Sequence, residues 1–133
     1  MKSKNELIQI GYSNKAVNLI HSKENIGKIK DADVIFTDTE DCGDIITLYL
    51  KISGKKIIEA SFESVGCIGL QLAGTIITKI IKGLSLTEAG KIKFTDILNY
   101  AEKVPPDKHE CIHFAIKTLK KALAVYKTKN KNQ

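Results

Sequence analysis

From the N-terminus, the first helical spacing falls in residues 12–22, YSNKAVNLIHS, with Ala16, Val17, Leu19 and Ile20 as its apolar part. His21 closes this segment as a solvated helix-end residue. GKIKDADVIFTDTED then carries a short strand around Val34 to Thr37. After it the period becomes two. In DIITLYLKI, residues 44–52, Ile46, Leu48, Leu50 and Ile52 alternate with Ile45, Thr47, Tyr49 and Lys51. In KIIEASFE, residues 56–63, Ile58, Ala60 and Phe62 alternate with Ile57, Glu59 and Ser61. Both runs read as half-buried strands, and the short Ser53-Gly54-Lys55 turn between them forces an antiparallel hairpin.

From Ile68 to Lys82 the spacing is helical. Leu72, Ala73, Ile76, Ile77 and Ile80 share one face, and Gln71, Thr75, Thr78 and Lys82 share the other. Gly83 follows as a C-terminal glycine. LSLTEAGKI and KFTDILNYAEK read as two shorter helices, capped by Ser85 and Thr95. Pro105 and Pro106 break the chain before a last helix over about 108–127. Its apolar face carries Ala115, Leu119, Ala122, Leu123 and Tyr126, with Lys117, Lys120 and Lys121 opposite. Strands grouped together and helices grouped after them predict an α+β fold, a three-stranded antiparallel sheet packed against several helices.

The 133 residues suit one domain, expected over 1–133 with a flexible polar tail from about 128. No apolar run reaches the roughly 20 residues of a membrane span, and MKSKNELIQIGYS has no apolar region of a secretory signal. The chain reads as soluble and cytoplasmic. Its net charge of +6 comes from lysine alone, since arginine is absent. Without guanidinium forks, and with few aromatics and no tryptophan, nucleic acid is not an expected partner.

Three cysteines cannot complete a disulfide framework, and no CxxC pair exists. Reduced, they are available for metal or sulfur chemistry, or are simply buried. The hairpin changes this picture. A turn near Gly54 places residue 44 opposite 64, so Cys42, Asp44 and Cys67 emerge at one open end. Cys67 also precedes a helix, whose free N–H groups favour a thiolate, and Cys42 precedes Gly43, which lets the backbone turn tightly. With Asp107 as N-cap, Cys111 enters near the start of the last helix, and Asp107-x-x-Glu110 fits a capping box. Three soft thiolates with an oxygen or nitrogen donor suit an iron–sulfur cluster or zinc far better than magnesium or calcium.

DCGD (41–44), VGCIG (65–69), KGLSL (82–86), TDI (95–97) and VPPDK (104–108) leading to Cys111 resemble the IscU/NifU-type iron–sulfur cluster assembly scaffolds. The likeness runs from about Tyr12 to Tyr126. It implies the SufE/IscU-like scaffold fold and a carrier rather than an enzyme. Such a scaffold takes sulfur as persulfide from a cysteine desulfurase, takes iron, builds a transient 2Fe–2S cluster and passes it to apo-proteins. By motif match Cys42, Cys67 and Cys111 would be cluster ligands and persulfide acceptors. Asp44 would be the aspartate associated with cluster lability and zinc binding. A hard carboxylate among soft thiolates is a reasonable weak link in a cluster meant for release.

Three departures stand out. VPPDK resembles the family's LPPVK stretch, which an Hsp70-type chaperone recognises, but differs at Val104 and Asp107, so that partner carries over less directly. Glu110 stands where the family has a histidine before the third cysteine, with His109 one position earlier, which leaves His109 or Glu110 as substitutes for it. Ile68 and Leu70 are bulkier than the family's small residues after the second cysteine. The alternatives are a zinc-bound sulfur acceptor resembling SufU, or a divergent member with altered cluster ligation. A homodimer sharing one cluster is also compatible with three thiols and an open fourth position.

Overall fold

A computed structural model of the chain describes residues 2–131, the side chains of 130 and 131 excepted. Three strands, β1 (Val34–Thr39), β2 (Ile45–Ser53) and β3 (Lys56–Val65), form an antiparallel sheet in the order β1-β2-β3. Two helices precede it, α1 (Lys4–Gln9) and α2 (Asn14–Ser22). Four follow: α3 (Ile68–Ile81), α4 (Leu86–Ala89), α5 (Phe94–Ala101) and α6 (His109–Lys131). This is the expected α+β architecture. Among the described residues, no helix is long and apolar enough to cross a membrane.

One sheet face is built from rungs that cross all three strands. Val34, Leu50 and Ala60 form one rung, and Phe36, Leu48 and Phe62 the next. Helices α3 and α6 pack on this face and on each other, and α2 packs on α3. The opposite face is more polar, with a Thr37–Thr47 hydroxyl pair at 2.8 Å and the Tyr49 hydroxyl donating to Glu63 Oε1 at 2.5 Å. Residues 25–27 run beside β3, where Phe62 N–H donates to Asn25 O and Gly27 N–H to Phe62 O, both at 2.9 Å. That covers a strand edge that would otherwise present unpaired backbone groups.

Four local expectations are corrected. Helix α1 is additional. Ser3 caps it in a reciprocal pair with Glu6, and it buries Leu7. The hairpin turns on two residues, Gly54 and Lys55, both at positive φ, and an irregularity between Lys51 and Ile52 shifts the register. Residue 64 therefore lies opposite Ile46 rather than 44. The one-residue shift puts Ile57, opposite Ile52, on the buried face with Ala60 and Phe62 and leaves Ile58 exposed, the reverse of the alternation expected at the start of β3. Thr75 and Thr78 are fully buried rather than on a polar face, because α3 lies between the sheet and the other helices. The Thr78 hydroxyl is satisfied by the Gly74 carbonyl at 2.8 Å. At α5 the cap is Lys93, whose N–H is held by Asp96 Oδ2 at 2.8 Å, and Thr95 lies inside the first turn.

Other expected features are present. Ser85 caps α4 in a reciprocal pair with Glu88. On α6, Ala115, Leu119, Ala122 and Leu123 are buried and Lys117, Lys120 and Lys121 exposed. Helix α6 runs through Lys131, past the start of the expected tail at about 128, and residues 132–133 lie outside the described residues.

Phe62, on β3, is fully buried on the sheet's helix-covered face. Phe62→Ala is expected to lower unfolding free energy by about 3–5 kcal/mol, read as a lower urea midpoint at unchanged slope.

Candidate metal centre

The first two donors come from the tight connection between β1 and β2. Glu40 N–H donates to Asp44 O and Gly43 N–H to Glu40 O, both at 2.9 Å, so residues 40–44 close on themselves. Cys42 is exposed at the tip of this loop. Asp44 turns inward over Gly66, where a Cβ would stand 2.5 Å from Asp44 Oδ1. Gly66 also has a φ of 150°. Both the conformation and the missing side chain are needed for the carboxylate to lie where it does.

Cys67 is the N-cap residue of α3, its carbonyl accepting from Leu70 N–H at 3.1 Å and Gln71 N–H at 3.3 Å. Cys111 lies in the first turn of α6 and is nearly buried. Packing of α3 on α6 brings the two sulfurs to 3.0 Å. One oxygen of Asp44 and the sulfurs of Cys67 and Cys111 all lie within 4.8 Å of one another. A cavity of about 440 Å³ opens beside them, lined also by Cys42, Glu40, Asp41, Asp107, Lys108, Glu110 and Phe114.

The contact shifts the two thiols in opposite directions. Donation from Cys111 lowers the Cys67 thiol to about 6, with further help from the Leu70 amide and Lys108, while burial and Asp44 oppose it. Cys111 is pushed up, first because it is the donor to Cys67, then by burial and by the charges of Cys67 and Asp44. A lowered Cys67 beside a raised Cys111 is what the hydrogen bond between the two sulfurs, together with like-charge repulsion, requires.

The hairpin reading of the sequence puts Cys42, Asp44 and Cys67 at one end, and the structure brings them there with Cys111. Cys42 lines the cavity but stands outside the tight Asp44–Cys67–Cys111 group. Glu110 is exposed and lines the cavity. His109 does not line it: its Nε2 lies 3.1 Å from Val104 O and its ring packs against Phe94. The expected Asp107–Glu110 capping box does not form. A 3-10 turn, Pro106–Lys108, feeds directly into α6, with Lys108 N–H on Pro105 O at 2.9 Å. A proline at the first helical position has no N–H to cap. Two further neighbours of the thiols escape the sequence reading. Lys108 packs against Gly69 beside Cys111 Sγ. Tyr12 is buried, and burial first, then the charges of Cys67, Cys111 and Asp107, push its phenol up. Tyr12 stands just before the Ser13 cap of α2, but nothing in the local pattern tells that its phenol feels the charges of the thiols.

Residues 11–133 match the model of the NifU-like N-terminal domain. The chain belongs to the NifU-like N-terminal domain family. It is 35% identical over 125 residues to the iron–sulfur cluster assembly scaffold protein IscU of Haemophilus influenzae, covering 90% of this chain and 98% of that one. To the scaffold protein IscU 1 of Archaeoglobus fulgidus it is 31% identical over 120 residues, covering 90% and 78%. A solved structure described as a scaffold protein for the SUF system, from Fervidobacterium islandicum, superposes with a TM-score of 0.70 at 27% identity, covering 86% of this chain and 97% of that one. The NifU-like fold thus accounts for the sheet and the helices.

Two outcomes follow from the geometry. Alkylation of Cys67 by iodoacetamide is expected to rise through a pH of about 6. An ordinary thiol titrates near about 8.5. Cys111→Ala, which removes the donated proton, is expected to move that midpoint upward. Gly66→Ala is expected to displace the Asp44 carboxylate and weaken divalent-metal binding, measured by calorimetry, while the fold measured by circular dichroism persists.

Proposed function

We propose that the chain is a scaffold on which a labile 2Fe–2S cluster is assembled and from which it is handed to apo-proteins. The cluster is cargo, and the chain acts as a carrier rather than an enzyme, as one scaffold domain in the cytoplasm. Sulfur arrives from a cysteine desulfurase. Cys42, exposed at a loop tip, is the accessible acceptor: its thiolate attacks the outer sulfur of the donor's persulfide, and the donor cysteine leaves as thiolate. Cys42, Cys67 and Cys111 hold the cluster, with Asp44 as the oxygen donor.

The observation that carries this reading is the convergence of Asp44, Cys67 and Cys111 within 4.8 Å. Two sulfurs and one oxygen are a soft set with one hard member, which suits iron held firmly enough to build and loosely enough to release. Donation from Cys111 favours the Cys67 thiolate, and the proton kept by Cys111 leaves when metal supplies the competing positive charge. Glu110, facing the cavity, is the better substitute for the family histidine. His109 has its Nε2 engaged by a carbonyl.

A second reading is favoured by the same compact group. Asp44, Cys67 and Cys111 offer zinc two sulfurs and one oxygen, Cys42 at the cavity rim would complete an S₃O set of the kind zinc takes tetrahedrally, and the superposed Fervidobacterium protein is described as a SUF-system scaffold. Here zinc would organise a SufU-like sulfur acceptor.

Anaerobic reconstitution with iron and sulfide, followed by Mössbauer spectroscopy, separates the two. The scaffold reading expects the paired-iron signature of a 2Fe–2S cluster. Colourless protein with about one zinc per chain favours the acceptor, and colourless protein with intact thiols and no metal removes both. Asp44→Ala is expected to slow cluster loss to a chelator several-fold, because the hard donor is gone.

A further inference from the structure

Helix α6 carries a second set of contacts that reaches the Cys42 loop. Asp38 and Glu40 occupy alternate positions at the end of β1, and both carboxylates meet α6. Lys121 Nζ lies 3.4 Å from Asp38 Oδ2, and Lys117 Nζ lies 3.1 Å from Glu40 Oε1. Between them the buried Thr118 hydroxyl lies 3.1 Å from Asp38 Oδ2 and 3.0 Å from the Phe114 carbonyl, sharing its proton. Asp38 Oδ1 also accepts Thr39 N–H at 3.0 Å. The spacing suits the pairing: four helical residues advance about 6 Å, and two strand residues about 6.6 Å. Lys117 and Lys121 thus fall opposite Glu40 and Asp38.

We propose that this set is a latch, in which Lys117, Thr118 and Lys121 are positioning residues that fix the reach of Cys42 over the Asp44–Cys67–Cys111 donors. Glu40 is the pivot, because its N–H and carbonyl both close the loop that carries Cys42 two residues later. Cys111 lies on the same helix, upstream of Lys117. One rigid element therefore holds Cys111 directly and Cys42 through the latch. An isolated surface ion pair such as Lys117–Glu40 would hold little. Here it is joined to Asp38, whose side chain is only 11% exposed and has three partners. An inward carboxylate also discourages pairing at an edge strand. That explains Asp38, but not a second pair at the loop's pivot.

The inference rests on the reading of Cys42 as a metal ligand, and the test keeps the two apart. Cobalt(II) is added anaerobically to the full chain, and the sulfur-to-cobalt charge-transfer absorption, which grows with the number of bound thiolates, is recorded. Wild type is expected to show three thiolates, and Cys42→Ser to lose about a third of the intensity, as one of three soft ligands goes. Lys117→Glu sets like charges against Glu40, and Thr118→Val removes the hydroxyl. Each is expected to lower the intensity toward that of Cys42→Ser. Lys117→Glu combined with Glu40→Lys should restore it, and Lys117→Glu added to Cys42→Ser should change nothing further.

If Lys117→Glu and Thr118→Val keep wild-type intensity while Cys42→Ser loses it, the latch is overturned and the ligand reading stands. If Cys42→Ser itself matches wild type, the ligand reading fails and the latch with it. Lys117 and Glu40 are both surface residues, with side chains 45% and 38% exposed. The charge swap therefore decides the matter even if Thr118→Val folds poorly.

Discussion

The approach of Cys67 to Cys111 depends on how α3 and α6 lie against each other on the sheet. Their first turns meet at one end of the layer, and every other feature of the site is arranged around that meeting. It places a thiolate and a thiol in contact at 3.0 Å, beside a cavity open enough for cargo. The α3–α6 layer is mainly apolar, with Leu72, Ala73, Ile76, Leu119 and Ala122 all buried. The site sits where that apolar packing ends and polar chain segments begin.

The chemistry follows from this position. Donation from Cys111, helped by the Leu70 amide, favours negative charge on Cys67. Cys111, deeper and beside that charge, keeps its proton. Asp44 is held over Gly66, where no side chain obstructs it. Cys42 remains outside the compact group on a loop that is short, self-closed and exposed. Under the proposed function this arrangement would separate firm binding near the core from accessible sulfur capture at the rim. Glu110 adds an exposed carboxylate to that rim.

Much of this architecture is legible in the amino-acid pattern. The period-two runs mark β2 and β3, the turn makes them an antiparallel hairpin, and the hairpin alone brings Cys42, Asp44 and Cys67 to one end. Ser85 and the lysine face of α6 are equally readable, because capping and amphipathic spacing are local. The misses are of another kind. Thr75 and Thr78 look polar by type and position, but α3 is surrounded, so they are buried among the helices and sheet. Asp107 and Glu110 have capping-box spacing, but the proline-initiated turn removes the need for one. The Ser3-Glu6 pair of α1 is a readable capping signal, yet six residues around one buried leucine show too little periodicity to mark a helix.

Strand alternation, helix order, three thiols in a metal-competent pattern and the family they resemble are all written in the chain itself. They follow from local spacing and residue chemistry. Which groups share a site is a matter of packing. The distance from Cys67 to Cys111, the turning of His109 onto Phe94, the burial of Tyr12 beside the thiols and the reach of Lys117 and Lys121 to β1 all depend on how α3, α5 and α6 pack. Packing fixes those distances through contacts between residues far apart in the chain, and no local pattern records them.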